Sequence, residues 1–225
     1  MGAPHKSRDG SLQFWPRKRA ASVLPSANWD AIKNEKGKLG GFVAYKVGMV
    51  SVYAKDETVD SMTKGKRIAI PATILECPEM KIYSVRFYKN RIVAGEVIVG
   101  FDDELKRIVK KPKQIKKVED FKGEFDDLRI IVYPDVKKLF KKGPDMIELP
   151  VSGSKEEKLN FVKQKIDKNE KISITEVFKD GLIDVHGVTK GKGLQGPVKR
   201  FGISLKSHKS EKGVRRPGSL GPWHP

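Results

Sequence analysis

The chain has 225 residues, 38% of them hydrophobic, which is enough for a folded core, and no apolar run reaches the roughly 18 residues that a membrane span needs. Its 46 Lys+Arg against 28 Asp+Glu give a formal charge of +18, which points to a polyanionic partner; no small-molecule substrate is expected. A single cysteine, Cys77, excludes an intrachain disulfide and any cysteine cluster for a metal, and the N-terminus has no apolar signal-peptide core, so an intracellular, soluble protein is expected.

Residues 1–40 read as an irregular, basic extension with one short helical candidate near Asn28–Lys33, which Asn28 could cap. From Gly41 the pattern turns to β. "GFVAYKVGMVSVYA" places Val43, Tyr45, Val47 and Met49 on one face, and "KRIAIPATILE", "KIYSVRFYK" and "RIVAGEVIVGF" follow at short spacing. Four such runs predict an antiparallel sheet or small barrel, because closure or burial removes exposed edges. Pro71 lies inside the second run and predicts an edge or a bulge there.

Residues 102–170 read as a charged α/β insertion in a β core spanning 41–189. It holds strand candidates "LRIIVYP" and "MIELPVSG" and one helix, for which Ser154 and Glu157 form a capping box and Leu159, Val162 and Ile166 share a face. "KISITEVF" and "GLIDVHGVT" then predict a return to strand. From Lys190 to Pro225 all periodicity ends.

The charge is unevenly spread. Residues 1–20 hold five cations and one acid, and residues 186–225 hold nine and one, so these sixty residues carry +12 of the +18. A nearly balanced body with two basic ends is the footprint of a protein that grips a polyanion with extensions. An anionic membrane surface would demand an amphipathic apolar face, which neither end shows.

Within the last segment, "GVTKGKGLQGPVKRFG" spells G-x-G-x-x-G at Gly191, Gly193 and Gly196. A dinucleotide fingerprint needs a strand before it, a helix opening at the third glycine and an acid about 20 residues on. Here Glu211 stands in "HKSEKG", away from any apolar strand. A Walker loop needs Lys and Ser/Thr where Pro197 and Val198 stand, and a kinase loop needs far more chain behind it. The glycines interleave with Lys190, Lys192, Lys199, Arg200, Lys206, Lys209, Lys212, Arg215 and Arg216. Such a segment buries too little apolar area to order itself; it suits close approach to phosphates, or else a solvated basic tail. Trp15 and Trp223 beside basic or glycine-rich stretches suit either base stacking or packing, whereas Trp29 reads as a packing residue.

Other constellations carry less. Asp102 with Asp103 and Asp126 with Asp127 read as surface charge without an apolar pocket, so no catalytic residue is assigned. His5, His186, His208 and His224 lack metal-ligand spacing, and no metal or other cofactor is expected.

"GSLQFWPRKRA" at 10–20, "KLGGFVAYKVGM" at 38–49, "VTKGKGLQGPVKRFG" at 188–202 and "RRPGSLGPWHP" at 215–225 occur in the same order in the universal large-subunit ribosomal protein three family. The chain resembles the archaeal and eukaryotic branch of that family at both ends and in the first strand. Val50 and Leu194 depart from common family residues, without touching the RNA reading. The resemblance implies a mainly β fold: a translation-protein-type β-barrel with an inserted α/β subdomain, long irregular basic extensions, and an outbound finger at 190–225. It implies binding near the three-prime end of the large-subunit ribosomal RNA, nucleation of assembly, a finger directed toward the peptidyl transferase centre, and neighbouring large-subunit proteins as partners, all in the cytoplasmic ribosome. Position by position it implies RNA contacts at Lys190, Lys192, Lys199, Arg200, Arg215 and Arg216, with Trp223 and His224 in the "GPWHP" stretch, and the basic character of the two ends adds Arg17, Lys18, Arg19, Lys206, Lys209 and Lys212 to the expected RNA-binding residues. Relatives continue past "GPWHP" with returning barrel strands, so the chain is expected to be a fragment of limited stability on its own.

Overall fold

Strand formation follows the β-branched and aromatic runs. The computed structural model describes residues 20–29, 38–137 and 139–223, and in these six strands form: β1 (Tyr45–Lys55), β2 (Arg67–Glu76), β3 (Met80–Lys89), β4 (Ile92–Ile98), β5 (Asp127–Pro134) and β6 (Ile147–Pro150). The described residues fall into two units: residues 26–185, which hold all six strands, and the parts of 1–25 and 186–225 that are described.

β1 and β2 form a separate antiparallel ribbon, with Tyr45 opposite Glu76 and Lys55 opposite Arg67, while the other four strands make one sheet in the order β4-β3-β5-β6. The expected closed barrel is therefore corrected for the described residues: a barrel closes only when a continuous ladder returns to its first strand, and these two sheets share no strand. Of the residues expected to share one face, Val43 is buried and Tyr45 half-buried, but Val47 and Met49 are 63% and 62% exposed, since the ribbon shows exposed residues on both sides. Pro71 sits in an unbroken β2 opposite Ser51; the ribbon's free edge tolerates its missing N–H, and the register shift falls instead at Lys46/Gly48.

The core lies on both faces of β3 and β5, which occupy the centre of the four-stranded sheet. Alternation along β5 sends Leu128, Ile130 and Val132 to one face and Ile131 and Tyr133 to the other, and all five are buried. On one side Tyr83, Leu105, Ile131 and Tyr133 cluster with Ile98, Phe101, Val109 and Met146. Elsewhere Phe87 stacks on Phe121 at 4.1 Å between ring centres and meets Phe125 edge-on at 4.9 Å. Segment 102–170 thus supplies the central strand β5, the edge strand β6 and much of the interior of the same sheet.

Helix α1 (Lys155–Asp167) starts where the sequence places it. Ser154 Oγ accepts from the Glu157 amide at 3.3 Å, and the Ser154 amide donates to Glu157 Oε2 at 2.8 Å. Val162 is fully buried on the face that Leu159 and Ile166 share. The strand expected at "KISITEVF" is replaced by a single bridge, Ile172 to Met80, and a one-turn helix α2 (Ile174–Val177). Ser173 stands at the N-cap without a side-chain cap hydrogen bond, and its hydroxyl donates to Glu176 Oε1 at 3.3 Å. "GLIDVHGVT" forms no strand either: no described strand pairs with it, and Leu182, Ile183 and Val185 remain exposed. Trp29 packs on Gly41, whose Cβ position would lie 2.9 Å from the indole, in keeping with a packing role. The rest of the helix expected near Asn28–Lys33 lies outside the described residues.

Candidate nucleic-acid interface

In residues 186–223 local turns, and not a core, set the backbone. α3 (Pro197–Phe201) spans five residues, opens with proline at its first turn and stops at Gly202, whose φ of 67° is left-handed and thus disfavoured for any side chain. The Arg200 amide donates to the Gly196 carbonyl at 2.9 Å and the Gly202 amide to Val198 at 3.0 Å, closing that turn. Beyond it, the Lys206 amide donates to the Val214 carbonyl at 3.0 Å, which ties residues 206–214 into a closed loop. Ser210 N–H to the Ser207 carbonyl, 2.9 Å, shapes the loop inside.

This framework distributes the predicted contacts. Lys190 and Lys192 lie in irregular chain before α3, Lys199 and Arg200 in its last turn, and Lys206, Lys209 and Lys212 on the closed loop. Arg215, Arg216 and Trp223 follow in bends, and the Arg200 guanidinium lies over the Phe201 ring at 5.2 Å. All nine cations are exposed, and none forms an ion pair with a described residue. Arg17, Lys18, Arg19 and His224 lie outside the described residues.

The contrast with the body is chemical. There Arg86 binds Glu96 at 2.8 Å and Glu148 at 2.7 Å, Lys81 binds Asp102 at 2.6 Å, Lys158 binds Asp127 at 2.5 Å, and Lys171 binds Asp135 at 2.8 Å. The last segment has one acid, Glu211, for nine cations, so its charge has no internal partner to satisfy it. Lysines and arginines held apart on a glycine-rich backbone can neutralise a row of phosphates without a shaped pocket.

The G-x-G-x-x-G stretch does have a helix opening at Gly196, a start that the sequence reading missed because five residues cannot show a period. No described strand precedes it and Gly202 ends it after little more than one turn, so the strand–loop–helix unit of a dinucleotide site is not formed. Asp102 also departs from expectation. It lines a cavity of about 270 Å³ with Ile82, Val99, Phe101 and Tyr133 instead of standing on open surface. Lys81 occupies its carboxylate, and Lys165 and Lys171, which also line the cavity, are held by Glu170, Glu176, Glu79 and Asp135, which leaves the cavity's charges satisfied.

Comparison with known proteins adds a separate line of evidence. A family model described as "Ribosomal protein L3" matches residues 1–117 and 101–225. The chain is 39% identical to "Large ribosomal subunit protein uL3" of Archaeoglobus fulgidus, over 98% of its own length and 70% of the relative's. It is 40% identical to the protein of that name from Thermoplasma acidophilum over its whole length and 71% of the relative, and 37% identical to that from Methanothrix harundinacea over its whole length and 72% of the relative.

Proposed function

Since the chain belongs to the family described as ribosomal protein L3, we propose that it is a structural, RNA-binding constituent of the large ribosomal subunit. The observation that carries the reading is the exposed, unneutralised run of nine cations in 186–225 beside a body whose buried-edge cations pair with its own acids. The body docks through shape, and the basic ends neutralise phosphates of RNA helices and junctions. The partners are large-subunit ribosomal RNA, in its three-prime region, and adjacent large-subunit proteins, with no membrane and no small-molecule substrate. Residues 190–225 serve as a finger aimed toward the peptidyl transferase centre, and binding helps to nucleate assembly. Catalysis by the chain itself plays no part.

Such contacts release counterions. If about six of the nine cations meet phosphates, affinity falls on the order of 10³ between 50 and 200 mM salt. The test is binding to large-subunit ribosomal RNA across that salt range, with crosslinked nucleotides mapped afterwards. An affinity indifferent to salt sinks the proposal, and crosslinks scattered without preference for the three-prime region remove its finer part.

A further inference from the structure

Segment 106–117, "KRIVKKPKQIKK", holds seven cations and no acid. Its average is hidden in the sequence by the acids of 119–127, which leave the surrounding body nearly neutral. The structure separates the two. Glu119 goes to Lys163 at 2.8 Å, Glu124 to Lys89 at 2.6 Å and Asp127 to Lys158 at 2.5 Å. Asp126 accepts the Asn90 amide at 2.9 Å and Asp120 the Lys117 amide at 2.9 Å. Each acid is therefore engaged by another element or by a backbone amide, and most of the lysines before them are left without an ion pair. Lys106 pairs with Asp103 at 2.6 Å, but Lys110, Lys111, Lys113 and Lys116 hold no ion pair with a described residue.

The backbone of this segment is nonetheless anchored. It leaves a 3₁₀ turn, Asp103–Arg107, in which Leu105 is fully buried, and enters another, Val118–Asp120, in which Val118 is buried. Between them the Val109 amide donates to the Leu105 carbonyl at 2.8 Å and the Lys116 amide to Ile98 at the end of β4 at 3.0 Å. The result is a loop pinned at both ends, with Lys106, Arg107, Lys110, Lys111, Lys113, Lys116 and Lys117 exposed.

We infer that this loop is a second, preformed phosphate-contact surface, on the body and independent of the basic segment at 186–225. The inference rests on the RNA-binding reading above. Its two ends are held on the body by buried Leu105 and Val118 and by the amides of Val109 and Lys116, so less backbone freedom is lost on binding. RNA fits better than an acidic protein surface. Protein interfaces are depleted in lysine and enriched in arginine and aromatics, whereas here six of the seven cations are lysine and no aromatic residue stands among them. Flexible lysine stems reaching separate phosphates need no such anchor.

The experiment measures the salt dependence of binding to in vitro transcribed large-subunit ribosomal RNA for four full-length chains: the wild type, a loop variant (Lys110, Lys111, Lys113 and Lys116→Gln), a finger variant (Lys190, Lys192, Lys199 and Arg200→Gln) and a control. The control changes Lys46, Lys66, Lys142 and Lys168→Gln, four exposed lysines elsewhere on the body with the same total charge. At roughly 0.7–0.9 per phosphate contact, the loop variant should lower the log–log salt slope by about 3, and the control by far less. Acetylation of the wild-type complex gives a readout that needs no variant: RNA should shield Lys110, Lys111, Lys113 and Lys116 and leave the control lysines reactive. A loop variant with the wild-type slope, beside a finger variant whose slope drops, overturns this inference and leaves the RNA reading standing. A wild type without salt-dependent RNA binding overturns both. A control that loses as much slope as the loop variant reduces the effect to net charge and overturns the local assignment. A loop variant that keeps RNA binding but loses binding to poly-glutamate hands the loop to an acidic protein and likewise overturns it.

Discussion

Gly95 of β4 leaves the space that the Phe121 ring fills: a methyl group at position 95 would lie 2.5 Å from Phe121 Cε2. Phe121 in turn stacks on Phe87 of β3 with ring planes only 4° apart, so it can yield to an added methyl only by giving up that stack. A missing side chain on an edge strand therefore lets an aromatic stack from the loop at 119–125 close over the sheet. Gly95→Ala is expected to destabilise the chain by ~1–3 kcal/mol through overpacking. Pairing it with Phe121→Leu should recover part of the loss, because the smaller side chain yields to the added methyl. Urea denaturation midpoints check both, and an undiminished loss in the double variant shows that the clash lies elsewhere.

Ser154 and Glu157 satisfy each other's backbone amides at the start of α1. Ser154→Ala removes the acceptor for the Glu157 amide and should cost about 1 kcal/mol of stability. Ser154→Asp keeps an acceptor in place and should restore most of it. Thermal melting of the three chains decides the matter.

Asp102 and Asp135 make acid stability depend on pairing. Burial raises the carboxyl of Asp102, but the hydrogen bond and charge of Lys81 outweigh it and hold the group below the usual carboxylate range. For Asp135 burial again acts upward, and the hydrogen bonds from Lys171 and from the Lys137 amide prevail. A folded carboxyl held below its unfolded value contributes stability that is complete above the unfolded value, about 4, and is lost as pH falls through the lower folded one. Stability should thus decline as pH drops below about 4, and Lys81→Gln should flatten that decline. Urea midpoints between pH 6 and pH 3 provide the comparison; parallel curves for the two chains would refute the assignment.

The nine cations at 190–216 touch no acid of the described structure, so their loss should separate binding from folding. Replacing Lys190, Lys192, Lys199 and Arg200 with glutamine should shift stability by less than about 0.5 kcal/mol. The same change should reduce the salt slope for ribosomal RNA by about 3. Calorimetry and a filter-binding salt series on one preparation test the two halves together. A large loss of stability would mean that these side chains hold the fold.

Short-range information was legible where it was strong. The capping box at Ser154 and Glu157 announced α1, the β-branched runs announced β1 to β5, and the run of glycine and lysine announced a segment without its own core. The two failures at 171–189 have different causes. A helical turn at Ile174–Val177 stands where a strand was expected, and Ile183 and Val185 alternate without a described strand to receive them. Alternation states a preference for a half-buried sheet face; it cannot supply the second strand that makes one.

Charge shows the same division. Composition and position along the chain already determined that excess positive charge gathers in residues 1–20 and 186–225, because counting needs no geometry. The four ordered motifs determined its family for a similar reason, being local strings that no fold has to assemble. Tertiary structure alone decided that β5, from a segment read as an insertion, stands at the centre of the sheet, and that Glu119, Glu124 and Asp127 pair with lysines of distant elements. Strand order and ion pairing are settled by which side chains meet across long stretches of chain, and neighbours in sequence carry no record of those meetings.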